Sequence, residues 1–151
     1  MNDMATTTME GETTLVIRRL FRCDIHTLWS ALTSAEGIRN WFGPGSFAVT
    51  HTASEVRPGG KWVIEMANPE GAQHNVGGEY VEIEAPNRAV FTWAWQNEPN
   101  EVSQVTYALH PADGGTTLIL THKRLPSANS RDMHGHGWNG ALDKLAPWVA
   151  R

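Results

Sequence analysis

Seven histidines are the first side chains whose chemistry matters: His26, His51, His74, His110, His122, His134 and His136. An imidazole titrates near neutral pH and can carry a proton, a metal or a hydrogen bond. Metal binding needs ligands that converge. His134-Gly135-His136 has i, i+2 spacing, which on a helix sends the two rings to different faces. There is no His-Glu-x-x-His motif and no cysteine pair, so the residues point to no metal and no cofactor. His122 stands apart because its strand parity matches Leu118 and Leu120. Two readings stay open for it: a ring directed into the interior, or a hydrogen-bonded histidine at a strand end. The other histidines read as surface or capping residues.

Cys23 lies between Arg22 and Asp24. A reactive thiolate needs nearby cations or a helix N-terminus to lower its pKa. No histidine partner is legible, so Cys23 reads as structural. No serine sits in a G-x-S-x-G setting. Glu65, Glu79, Glu82 and Glu84 fall on expected strands, and Glu82 and Glu84 share the parity of Tyr80. A buried carboxylate among them would be a candidate acid or base, and solvated strand-end carboxylates are the simpler reading. Gly59-Gly60 and Gly77-Gly78 lack the strand-to-helix setting of a phosphate loop and read as turn and bulge glycines. No catalytic residue is assigned.

The aromatic residues carry more information. Trp29, Trp41, Trp62, Trp93, Trp95, Trp138 and Trp148 are many for 151 residues. Large aromatics in a small domain fill a core or line a pocket. The candidate ligand-cavity set is Trp41, Phe42, Phe47, Trp62, Ile64, Tyr80, Phe91, Trp93, Tyr107, Leu120, His122, Trp138 and Leu142. Tyr80, His122 and a tryptophan indole N–H are its polar anchors.

Positioning these residues requires specific elements. Residues 13–22 (TTLVIRRLFR) read as a first strand. Asp24 can cap a helix over 25–33, in which Ile25, Leu28, Trp29 and Leu32 share a face. Ser34 can cap a second short helix over 35–42, stopped by Gly43-Pro44-Gly45. Six further strands are expected at 47–53, 61–66, 76–84, 89–95, 102–110 and 116–123. The breaks between them are rich in Gly, Pro, Asn and Asp, and short connections favour antiparallel neighbours. Ser127 or Asn129 can cap a last helix to about residue 150. Trp138, Leu142, Leu145 and Val149 form its apolar stripe. Gly135, Gly137 and Gly140 point to a close helix–sheet approach or a weak first half, and Pro147 to a kinked or frayed last turn. The expected fold is α+β: a curved seven-stranded antiparallel sheet around a long C-terminal helix, with two short helices between strands one and two.

Composition bounds the function. The chain fits one domain, over 13–151, with residues 1–12 expected to be a frayed tail. A net charge of −4 argues against nucleic acid and anionic membranes as partners. No run is long and apolar enough to span a bilayer. The N-terminal segment lacks the basic and apolar regions of a secretory signal. A single cysteine fits a reducing compartment, so a cytoplasmic location is expected. A homodimer is an open possibility, with Trp148 as a contributor if exposed.

The order of elements is similar to that of the SRPBCC (START/birch-pollen-allergen-like) superfamily. So are Leu28-Trp29 through Ile38-Arg39-Asn40-Trp41-Phe42-Gly43-Pro44, Arg57-Pro58-Gly59-Gly60-Lys61-Trp62 and Gly78-Glu79-Tyr80-Val81-Glu82-Ile83. Phe91-Thr92-Trp93, Gly115-Thr116-Thr117-Leu118 and Gly137-Trp138 through Leu142-Asp143-Lys144-Leu145 add to the likeness. Within the superfamily the chain resembles the branch named after the activator of heat-shock-protein-90 ATPase. The resemblance implies a helix-grip fold with a deep hydrophobic cavity. It leaves three functions open: binding of a small hydrophobic molecule, a cyclase or hydrolase acting on a polyketide-like or aromatic substrate, and a protein-interaction or chaperone-ATPase-activator-like module.

Overall fold

Connections too short for crossovers force neighbouring strands to run antiparallel. The computed structural model, which describes residues 5–150, follows that rule throughout. Its elements are β1 (Ala5–Glu10), β2 (Thr14–Phe21), α1 (Ile25–Thr33), α2 (Ala35–Ile38), β3 (Ala48–Ser54), β4 (Lys61–Ala67), β5 (Gln73–Glu84), β6 (Arg88–Trp95), β7 (Ser103–Ala112), β8 (Gly115–Lys123) and α3 (Ala128–Val149). The strands form one antiparallel sheet in the order β1-β2-β8-β7-β6-β5-β4-β3. The sheet grips α3, and α1 and α2 lie between β2 and β3 in the chain. This is the helix-grip α+β fold.

The sheet has eight strands where the sequence pattern suggests seven. The additional strand is β1, cut from the segment expected to fray; the first four residues of that segment, and residue 151, lie outside the described residues. β1 pairs with β2 from Ala5↔Arg19 to Glu10↔Thr14. All six of its residues are exposed. Main-chain pairing therefore orders it, not burial, and an unburied strand needs no apolar alternation to announce it. Gly11, at φ +70°, makes the reversal that returns the chain to β2.

Local capping sets the helices. The Asp24 carboxylate accepts from the His26 N–H at 2.8 Å. Ser34 accepts from Gly37, and Ser127, not Asn129, caps α3 by accepting from Ser130. The second helix is shorter than expected. It ends at Ile38, and Trp41 and Phe42 follow it in a turn that buries both. The Trp41 indole donates to the Ala31 carbonyl at 2.7 Å, which ties this turn to α1. Pro147 lies within α3, which continues to Val149. Trp148 is half-buried and packs against the core.

Alternation places the inner face as expected for β4, β6, β7 and β8, which bury Trp62, Ile64, Met66, Phe91, Trp93, Val105, Tyr107, Leu109, Leu118, Leu120 and His122. β5 departs from it. A bulge between Tyr80 and Glu82 inserts one residue and reverses the parity beyond it. Tyr80 is buried, whereas Glu82 turns outward to pair with Arg88 at 3.1 Å. Ile83 then takes the inward side. Glu79 pairs with Lys61 on the surface. On β2, Arg19 occupies an inward position and reaches Asp143 of α3 at 2.7 Å.

Leu142 of α3 is fully buried, so Leu142→Ala should cost about 2–5 kcal/mol, read as a lower urea midpoint. Deleting residues 1–10 should lower that midpoint far less, because β1 buries no side chain.

Candidate functional site

The inner face of the sheet and the stripe of α3 meet through aromatic rings. Trp93 and Trp138 lie 5.1 Å apart between centroids, Phe91 and Tyr107 5.0 Å, and Trp62 and Phe91 5.4 Å. Phe42 packs edge-on against Trp138 at 5.8 Å. These rings fill the centre. The void they leave is about 10 Å³, at the lower limit for one water molecule. Trp62, Ile64, Tyr80, Phe91 and Tyr107 face that small void, together with Phe42 and Trp93.

The open space lies at the mouth of the grip. A pocket of about 1050 Å³ opens between the first half of α3, the β5–β6 end of the sheet and the loop after β6. Its apolar floor is Phe42, Met66, Trp93, Trp95 and Trp138. Its rim is polar and includes Gln73, Asn75, Gln96, Glu98, Glu101 and Ser127. Of the residues expected to line a cavity, Phe42, Trp93 and Trp138 line this pocket. Trp41, Leu120, His122 and Leu142 are buried and line neither space. Phe47 is half-buried and packs edge-on against His74 of the pocket wall at 4.7 Å.

A chain of hydrogen bonds runs behind the floor. The Trp138 indole donates to His122 Nδ1 at 3.0 Å. The ring proton of His122 therefore sits on Nε2, which donates to Ser103 Oγ at 2.7 Å. Ser103 in turn donates to the Trp93 carbonyl at 3.3 Å. His134 has the opposite tautomer: its Nδ1 donates to the Ser130 carbonyl at 2.7 Å and its Nε2 accepts from the Trp95 indole at 2.9 Å. The two imidazoles pack edge-on with centroids 5.0 Å apart. Burial first, and the neighbouring His134 second, hold the His122 pKa well below its ordinary 6.5. Burial also lowers that of His134, against the opposing pull of the Ser130 carbonyl and the Glu98 carboxylate. Both rings are neutral at pH 7.

These partners limit the chemistry. With Nε2 protonated, His122 cannot take a proton from Ser103, so the pair is no nucleophile-and-base dyad. Both nitrogens of His134 are committed as well. Burial, and then Asp24, push the Cys23 thiol up to about 11, which keeps it protonated. Tyr80 bonds to Ser54 at 2.8 Å. Among the described residues, no three of His, Cys, Asp and Glu cluster as metal ligands. The arrangement is suited to binding. Among the described residues two side-chain donors are buried without an acceptor, Arg19 Nε and the Trp93 indole N–H, and the second belongs to the pocket floor.

Sequence reasoning passed over His74, Trp95 and His134. Trp95 shares the parity of Trp93, and His134 lies one helical turn before Trp138, so the signals were periodicity extended by one step. The rim residues Gln96, Glu98 and Glu101 carry no such signal, because they sit in the loop after β6.

Comparisons with known proteins agree with this architecture. The family model described as Activator of Hsp90 ATPase homolog 1-like protein matches residues 22–150. The structure is similar to a crystal structure of a protein from Rhodobacter sphaeroides, at 24% identity and a TM-score of 0.86, covering 97% of this chain and 99% of that one. It is similar to the AHSA1 protein of Silicibacter pomeroyi at 27% identity and a TM-score of 0.83, covering 91% and 97%. A protein from Chromobacterium violaceum gives 22% identity and a TM-score of 0.84, covering 92% and 98%. No curated protein matches. No helix among the described residues is long and apolar enough to cross a membrane.

The buried histidine sets a pH dependence. The unfolded chain binds a proton near pH 6.5 that native His122 refuses, so stability is full above pH 6.5 and is lost as pH falls toward the depressed folded pKa. The slope for one such proton approaches about 1.4 kcal/mol per pH unit. Urea melts between pH 7.5 and 5.0 should show the loss, and His122→Gln should flatten it by about that slope.

Proposed function

Because this chain belongs to the Activator of Hsp90 ATPase homolog 1-like protein family, whose fold commonly binds hydrophobic ligands, we propose that it binds a small molecule with a flat apolar body in the pocket between α3 and the β5–β6 end of the sheet. One observation carries the reading: an open volume of about 1050 Å³ floored by Phe42, Met66, Trp93, Trp95 and Trp138. That size and an apolar floor under a few polar groups suit a single small organic ligand. The hydrogen-bonded histidines support binding over turnover, since neither offers a free nitrogen to a substrate.

The floor is braced from behind. Trp138 is held by His122, Trp95 by His134, and the loop carrying Pro44 by the Lys144 ammonium, which donates to the Phe47 carbonyl at 2.9 Å. A pre-formed wall lowers the ordering cost of binding.

Gly137 lines the pocket, and a Cβ there meets nothing within 4 Å. Gly137→Phe should therefore obstruct the pocket beside Trp138 while leaving the fold and its thermal midpoint intact, since glycine within a helix is itself unfavourable by about 1 kcal/mol relative to alanine. Titration with 2-naphthylmethanol, followed by indole ¹H–¹⁵N signals, should shift Trp93, Trp95 and Trp138 saturably and leave Trp29 and Trp148 in place. Gly137→Phe should weaken the binding that those shifts report. Unchanged indole signals in the wild type would overturn the proposal.

A further inference from the structure

The pocket is one-sided in charge. Glu98 and Glu101 stand on its rim, and among the described residues no lysine or arginine lines it. Neither glutamate has an ion-pair partner among those residues. The nearby cations are engaged elsewhere: Lys144 on the Phe47 carbonyl and Arg131 on Asp132. The rings offer the same sign. Phe42, Trp93, Trp95 and Trp138 all border the pocket, and aromatic faces carry partial negative charge that attracts cations. His134, whose pKa burial lowers from its ordinary value, adds no positive charge at pH 7.

We infer that the pocket selects an organic cation, a protonated or quaternary amine carried on a flat aromatic body, and discriminates against carboxylate amphiphiles of the same shape. This rests on the pocket being the binding site proposed above and adds the ligand's charge class. The aromatic body lies on the Trp93–Trp95–Trp138 floor. The ammonium head meets Glu98 and Glu101 at the rim, where solvent still reaches it and desolvation stays small. A carboxylate placed there faces two like charges with no guanidinium or ammonium to answer it.

Three probes of one shape test this by calorimetry at low salt: (2-naphthylmethyl)trimethylammonium, 2-naphthylmethanol and 2-naphthylacetate. The cation should bind about tenfold tighter than the carboxylate, with the alcohol between them. Glu98 and Glu101 are both exposed, so the double variant Glu98→Gln/Glu101→Gln should fold normally. It should shrink the cation preference to about twofold while leaving the alcohol unchanged. Saturable binding of the alcohol with equal or tighter binding of the carboxylate would overturn the charge inference and leave the pocket reading standing. A cation preference that survives the double variant would overturn the role of the glutamates. Failure of all three probes would overturn both readings.

Discussion

The Trp138 indole N–H held on His122 Nδ1 is where the sheet and the helix become one structure. Trp138 brings the largest side chain on the buried stripe of α3 into the centre of the sheet, and its one polar atom must find an acceptor there. His122 supplies it only while neutral, and its own proton must then go to Ser103. Each such bond is worth about 1 kcal/mol net, but a buried group left without its partner costs about 1–3 kcal/mol. The chain Trp138–His122–Ser103–Trp93 therefore fixes ring positions more than it adds stability. It also gives a histidine among leucines on an inward face a purpose: it is the acceptor of the Trp138 indole.

Placing so many rings on one concave face determines where space remains. Packed rings exclude even a second water from the centre. The remaining volume lies beside the first half of α3, where Gly137, one residue before Trp138, puts no side chain into it. One turn of helix thus supplies both the plug of the core and the opening of the pocket. Gly140 has a different purpose. A Cβ there would come within 3.1 Å of Pro44, so glycine lets the helix approach the turn that follows α2. Where the sequence suggests a close helix–sheet approach or a weak first half at these glycines, Gly140 instead lets the helix approach a turn, and Gly137 borders open space.

Much of this fold is written in short-range chemistry. Asp24, Ser34 and Ser127 name their helices because a cap oxygen satisfies an orphan N–H two or three residues on. Alternation names the inward residues of β4, β6, β7 and β8 because those strands bury one face only. β1 escapes that logic, since it buries nothing. Glu82 and Glu84 escape it too, because a bulge at Tyr80 shifts the parity by one. The site was less legible than the fold. Phe42, Trp93 and Trp138 follow from periodicity, while Glu98 and Glu101 sit in a loop with no period to read.

The sequence by itself determined the family, the order of elements and the identity of the inward-facing rings, because each depends on residues close along the chain. It could not determine whether those rings meet or stand apart. That depends on how far the sheet curls and how deeply α3 sits, which are set by contacts between residues such as His122 and Trp138 or Trp95 and His134. Packing volume is a property of the assembled surfaces. The solid centre, the pocket at the mouth beside Gly137 and a rim that carries carboxylates without a lysine or arginine among the described residues follow from that assembly alone.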